Sequence, residues 1–345
     1  MKKPFFIAEI SANHVGSLKI AKNLIKIAKF YGADAVKLQT YTADSMTINS
    51  NKKEFLVSKG LWKGEKLWNL YDKAKTPYEW HPELFAYAKK LKITCFSTPF
   101  DTEAVDLLEK LKCPFYKISS FEMNDFPLLE RVIKTKKPII ISTGTSNFNE
   151  IKEVMKFVKK KKAKKVSLLY CVSNYPASYK DFNLNNISIL KEEFNCTVGL
   201  SDHSINNDIA VAAIGAGAEI FEKHIASRYS KKSPDFKFSL FEDQIGLYRK
   251  CLDETYEMFR KKKFYRNKSE SFYKKFRRSI YTINDIRKGE LFSNKNIKLL
   301  RPSNGLGPEY FKKLINKKSP LNIPAETALK KSILKKLKIK KNQLK

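Results

Sequence analysis

Histidine occurs only four times in 345 residues, and two of the four stand at matching points of neighbouring segments. His203 closes "TVGLSDH" (197–203) and His224 lies near the end of "EIFEKHIA" (219–226). A neutral imidazole is a good ligand for a divalent ion, so two of them on adjacent strand ends can share one. Other polar residues occupy the same kind of position. Short apolar runs end in Glu9 and Ser11, in Lys37 and Gln39, in Ser97 and Thr98, and in Lys117, Ser119, Ser120 and Glu122. Further runs end in Ser142 and Thr143 and in Ser173 and Tyr175, while Ser201 and Asp202 precede His203 and Glu222 precedes His224. Each has a plainer role when taken singly: a strand-end serine caps the next helix, a lysine snorkels, a histidine hydrogen-bonds in the core. Together, two lysines and a ring of hydroxyls make a pocket for a dianionic phosphate, because ammonium charge and short donors both satisfy its oxygens. Two histidines with Glu9 or Glu222 nearby leave a metal with open positions. That arrangement suits a catalytic ion polarising a carbonyl, not a closed structural site.

Elements that carry these residues to one place are legible in the patterning. Strands are predicted at 5–11, 35–40, 93–99, 115–120, 138–144, 166–173, 197–203 and 219–226. Apolar spacings of three and four separate them, as in "LKIAKNLIKIAKFYG", "TEAVDLLEKLK", "FPLLERVIKTK" and "NEIKEVMKFVKK". Near-continuous apolar strands alternating with amphipathic helices make a parallel sheet covered on its outer face. Eight such units fit a (β/α)8 TIM barrel, α/β in class, whose active site lies at the C-terminal strand ends. An open doubly wound sheet is the runner-up, but no GxGxxG or Walker-type loop supports it. One connection, 41–81, is too long for a plain loop and contains all three tryptophans. The expected organisation is a barrel over 1–260, a basic linker over 261–277, a small β-rich domain over 278–335 and a basic tail over 336–345.

A formal net charge of +33 would suit nucleic acid, yet the lysines are spread along the whole chain, and neither helix-turn-helix nor RNP-type patterns occur. General attraction for anionic substrates is the expectation, with no nucleic acid partner. No window resembles a membrane span and the N-terminus does not read as a signal peptide, so no membrane association and a cytoplasmic location are expected. The five cysteines have no CxxC spacing, and Cys95, Cys171 and Cys196 read as small buried hydrophobes.

Several stretches in order resemble the bacterial sialic acid synthase family: "IAEISANHVGS", "GADAVKLQTY", "FSTPFD", "YKISSFE", "ISTG", "GLSDHS", "EKHIA", "SPDFKFSL" and "LRPSNGLGP". The resemblance covers about residues 4–330 and implies a phosphoenolpyruvate-condensing barrel followed by an antifreeze-protein-like (SAF) domain. Within the family, "GLWKGEKLWNLYDKAKTPYEWHPELF" is similar to the branch that makes pseudaminic acid. It implies a transferase that joins phosphoenolpyruvate to 2,4-diacetamido-2,4,6-trideoxy-L-altrose, releasing phosphate by C–O cleavage. Acceptors such as N-acetylmannosamine or a legionaminic precursor are the alternative. A Schiff-base aldolase using Lys37 or Lys117 is a third reading, which predicts a borohydride-trapped adduct and indifference to chelators.

Carried over by motif, Lys37, Thr98, Lys117, Ser120, Ser142, Ser173 and Ser201 are implied to hold phosphoenolpyruvate. His203 and His224 are implied to hold a divalent ion, manganese or magnesium. Glu9, Gln39, Tyr175 and Asp235 are implied to meet the acetamido sugar or manage its protons. Arg301 matches an arginine that the family's C-terminal domain sends into a partner's barrel, implying a domain-swapped homodimer. Three positions depart from the family pattern: Val15 stands for an asparagine, Ser173 for the asparagine usual in sialic acid synthases, and Phe236 for a histidine.

Overall fold

In a computed structural model, which describes residues 2–261, 263, 264 and 266–339, the chain divides into two compact units, Met1–Lys262 and Lys263–Lys345. The first is a closed barrel. Its strands are β1 (Phe5–Glu9), β2 (Ala35–Thr40), β3 (Thr94–Pro99), β4 (Tyr116–Ile118), β5 (Ile139–Ser142), β6 (Val166–Cys171), β7 (Thr197–Asp202) and β8 (Ile220–Ala226). They pair in parallel in sequence order, and β8 returns to β1 with Glu9 opposite His224. A two-residue strand, β9 (Leu240–Phe241), extends the pairing from β8.

Eight helices cover the outside: α1 (Leu18–Phe30), α2 (His81–Lys90), α3 (Thr102–Lys110), α4 (Phe126–Lys134), α5 (Phe148–Lys160), α6 (Asn185–Phe194), α7 (Asp208–Gly215) and α8 (Glu242–Phe259). Each turns an apolar stripe to the sheet; in α4 the buried residues are Leu128, Leu129, Val132 and Ile133, at the spacing a one-faced helix requires. Asp101, Asp125 and Asn147 cap α3, α4 and α5 by accepting from first-turn N–H groups. The caps are therefore not the strand-end hydroxyls Thr98, Ser120 and Ser142, which stay available to the barrel mouth. At the opposite ends, α2, α3, α4 and α5 are followed by left-handed residues, Lys92, Lys112, Lys136 and Lys162. Glycine is the usual occupant of that conformation.

All eight predicted strands occur; β2 keeps its expected bounds and the others are trimmed by one or more residues. The largest differences are at β4, three residues long where 115–120 was expected, and at β5, four residues long where 138–144 was expected. Ser119 and Ser120 leave the sheet after β4, their hydroxyls bonded to Glu122 and to the Gly144 N–H. The long connection after β2 is also structured. It contains helices Ala43–Met46 and Leu67–Ala74 and a tight hairpin joined at Leu56 and Lys66.

The second unit holds an antiparallel pair, β10 (Ser279–Thr282) and β11 (Ile297–Leu300). Its own core includes Ile280, Phe292, Ile297 and Leu314. Part of the expected tail, residues 340–345, lies outside the described residues. Among the described residues no helix is long and apolar enough to cross a membrane. All five cysteines are free, and Cys196 is only half-buried where a core position was expected, because it precedes β7 rather than lying in it.

Candidate active site

Side chains alternate across a strand, so every second residue near a C-terminal strand end points into the mouth. Lys37 of β2 lies there, with Nζ 2.5 Å from Glu9 Oε2 and 3.5 Å from Glu222 Oε2, donating to Thr98 Oγ1 at 2.9 Å. Lys117 of β4 approaches the other oxygen of Glu222 at 3.6 Å, and that oxygen accepts from Ser201 Oγ at 2.9 Å. Six strands thus meet around one buried carboxylate. Sequence reasoning had given Glu222 a place only beside the histidines, and its role as hub depends on lysines from distant strands.

Burial raises Glu9 to about 7 against the pull of Lys37. Burial acts on Glu222 in the same direction, but the ammonium groups of Lys117 and Lys37 outweigh it and hold this carboxylate low. Lys37 is likewise pushed down by burial and lifted above its ordinary value by Glu222 and Glu9, while for Lys117 burial prevails and lowers it. Two ammonium groups share one firmly ionised carboxylate. An excess of positive charge therefore faces the mouth, which favours an anion.

Hydroxyls flank it. Ser142 Oγ is buried without a hydrogen-bond partner, a cost that a bound ligand would remove. Beside it Ser120 Oγ accepts from the Gly144 N–H at 3.0 Å. A Cβ on Gly144 would run into Ser173 Oγ and come within 2.7 Å of Ser120 Oγ, so this glycine keeps a small polar cradle open.

The second half of the mouth is aromatic. His203 and His224 have ring centroids 5.4 Å apart. His203 Nδ1 lies 3.0 Å from the Val172 carbonyl, which fixes the ring with a proton on that nitrogen. His224 Nδ1 is buried without a hydrogen bond, 3.8 Å from an Asp235 carboxylate oxygen. Burial, and then the charges of His203 and the lysines, push His224 well below its ordinary pKa, which favours the neutral ring. Asp235 is raised by burial and accepts from the Ala12 N–H at 3.3 Å. Tyr175 packs on His203 at 4.4 Å, and Phe238 on His224 at 4.9 Å.

A two-histidine donor set fits a divalent ion whose other ligands come from substrate and water. Among the described residues no group of three or more His, Cys, Asp or Glu side chains has ligand geometry. Cys171, read as a plain core residue, is buried but sits with Sγ 3.9 Å from His203 Nδ1.

Other rim residues from the sequence turn away. Asp202 faces outward, 3.0 Å from Lys223. Ser97 bonds Thr40, which reaches His81 under α2, and Thr143 bonds the Leu169 carbonyl. Their neighbours in sequence take the inward positions, as a period of two demands. Gln39 is half-buried on the face of Lys37. Arg301 is exposed in the second unit, on the segment after β11. Of the departures, Phe236 packs on Phe241 at 4.6 Å, and Phe238 is the ring that lines the mouth.

The fold and mouth define a (β/α)8-barrel enzyme whose strand ends bring lysines and hydroxyls together beside an aromatic-walled histidine pair. The chain belongs to the NeuB family, whose pattern matches residues 24–263, and a SAF domain follows at 277–335. It is 43% identical over 331 residues to a pseudaminic acid synthase of Campylobacter jejuni, covering 96% of both chains. It is 35% identical over 320 residues to the N,N'-diacetyllegionaminic acid synthase of the same species, covering 92% of this chain and 96% of the relative. The crystal structure of an N-acetylneuraminic acid synthetase from Leptospira borgpetersenii superposes with a TM-score of 0.70 at 29% identity, covering 79% of this chain and 90% of that one.

Proposed function

We propose that the chain is a pseudaminic acid synthase, joining phosphoenolpyruvate, 2,4-diacetamido-2,4,6-trideoxy-L-altrose and water to give pseudaminic acid and phosphate. The observation that carries this is the lysine–hydroxyl mouth around Glu222, set against the histidine and aromatic wall. Support for this acceptor over a legionaminic one comes from 43% identity against 35% at near-complete coverage.

Lys37 and Lys117 hold the carboxylate and phosphate of phosphoenolpyruvate, with Thr98, Ser120, Ser142, Ser173 and Ser201 supplying donors. Glu222 keeps the two ammonium groups in place. C3 of phosphoenolpyruvate attacks the acceptor aldehyde, water adds at C2, and phosphate leaves with its bridging oxygen. His203 and His224 would hold a divalent ion, manganese or magnesium, which would supply Lewis-acid polarisation of the aldehyde. Glu9 and Asp235, both raised by burial, are suited to passing protons at the mouth, and Gln39 and Tyr175 contact the sugar. Arg301 serves the barrel of a second copy in a domain-swapped homodimer. The free cysteines agree with a cytoplasmic location.

The test is phosphate release from phosphoenolpyruvate with the altrose derivative, its legionaminic counterpart and N-acetylmannosamine, each with and without EDTA. Release with the altrose derivative alone, abolished by chelation, is the expected result. Release with another acceptor moves the specificity, and release untouched by chelation removes the metal. Mixing Arg301→Ala with His203→Ala subunits is expected to recover activity that neither variant has alone.

A further inference from the structure

The three tryptophans of the long connection do different work. Trp80 packs on buried His14 at 5.5 Å, and Trp68 donates to Asp44 at 2.8 Å, tying the helix Leu67–Ala74 to the short helix before it. Both anchor the connection. Trp62 lies near the end of the hairpin, where Val57 N–H donates to Glu65 carbonyl at 2.9 Å and Gly64 N–H returns to Val57 carbonyl at 2.8 Å. Gly60 and Gly64 hold φ of 84° and 90°, a backbone that side-chain-bearing residues rarely adopt. The hairpin brings the Trp62 ring to 5.6 Å from that of Tyr175, which itself lies 4.4 Å from His203.

Trp62 also lines a groove of about 860 Å³ together with Ala12, Val15 and Pro234, with the charged residues Glu65, Lys73 and Lys232 on other parts of its lining. The Ala12 N–H bonds Asp235, so one wall of the groove adjoins the catalytic mouth. The indole has one polar group, and its N–H is already given to the Pro234 carbonyl at 3.3 Å. What remains for a ligand is apolar carbon surface.

We propose that Trp62 is the acceptor-selecting residue: its indole is the wall on which the C6 methyl of a 6-deoxy acceptor packs. This rests on the acceptor reading above. A hydroxyl at C6 would lose water against this wall and find no donor or acceptor on it. Apolar walls reject an added hydroxyl by at most about 10²-fold, which sets the scale of the effect. The role is one of specificity, so it belongs to the acceptor and leaves phosphoenolpyruvate binding alone.

The experiment compares two acceptors that differ only at C6, the trideoxy altrose and its 6-hydroxy counterpart, in wild type, Trp62→Ala, Trp62→Gln and Trp62→Phe. In wild type the 6-deoxy acceptor is expected to have the higher kcat/KM. Trp62→Ala and Trp62→Gln are expected to reduce that preference at least tenfold through acceptor KM, with KM for phosphoenolpyruvate unchanged, and Trp62→Phe to restore most of it. Calorimetric titration with phosphoenolpyruvate identifies any variant that does not fold. If Trp62→Ala is one, the contrast of Phe with Gln decides. A preference within twofold of wild type in the folded variants overturns the proposal. A wild type using both acceptors equally overturns it while leaving the synthase intact. Turnover of neither acceptor removes both.

Discussion

Strands β7 and β8 carry two buried charged groups back to back, and they differ in one respect. On the outer face, Lys223 meets Asp202 at 3.0 Å and donates to the Ser204 carbonyl. Asp202 also accepts from the Ser204 N–H at 2.8 Å and from the Tyr248 hydroxyl at 3.5 Å. Every charge there has several partners. On the inner face, opposite the same backbone, Glu222 divides itself between two lysines at 3.5 and 3.6 Å, and Ser142 Oγ and His224 Nδ1 have no hydrogen-bond partner. A satisfied buried cluster is self-sufficient and holds structure, whereas an unsatisfied one waits for a ligand. The outer cluster clamps the segment that follows His203, so it positions the histidine without touching substrate.

Substitutions that separate activity from stability test this contrast. Lys117→Met is expected to lower kcat/KM for phosphoenolpyruvate by at least about 10³-fold, ~4 kcal/mol, while leaving the melting temperature unchanged or higher. A large loss of stability in this variant would break the contrast. Asp202→Ala is expected to cost about 3 kcal/mol in denaturant unfolding by stranding a buried ammonium. If it melts like wild type, the outer cluster is not a strut.

Gly144→Ala sharpens the comparison from the ligand side. The added methyl meets Ser120 and Ser173, and KM for phosphoenolpyruvate is expected to rise about 30-fold, ~2 kcal/mol, with little change in stability. Unchanged KM would remove the serine cradle from the site. The smallest effect concerns the rim loop. Val15 holds φ 45° and ψ 43°, a left-handed conformation that a β-branched residue tolerates poorly and asparagine accepts. Val15→Asn, which returns the family's residue, is expected to stabilise by about 1 kcal/mol in thermal melts. Destabilisation would mean that packing of the valine outweighs the strain.

Much of the site was legible because barrel geometry is local in origin. Apolar runs bounded by helices locate strand ends, and polar residues at those ends must ring one mouth. Lys37, Thr98, Lys117, Ser201, His203 and His224 came from that rule. The same rule overreached at Ser97, Thr143 and Asp202, since choosing the inward member of a pair requires knowing which neighbours face the helices. Trp62 had no signal beyond its unusually long connection, because its partners Tyr175 and Pro234 lie on other loops far along the chain.

The amino-acid sequence alone determined the alternation of buried strands and one-faced helices, and with it the barrel and the chemical types gathered at its rim. These follow from hydrophobic periodicity and chain connectivity, which are properties of neighbouring residues. Only the tertiary structure decided that Glu222 would be shared by two lysines, that Ser142 and His224 would be left wanting a partner, and that an indole would wall the groove. Those outcomes depend on approaches of a few ångströms between distant segments, and at that range burial and charge are set by every strand at once.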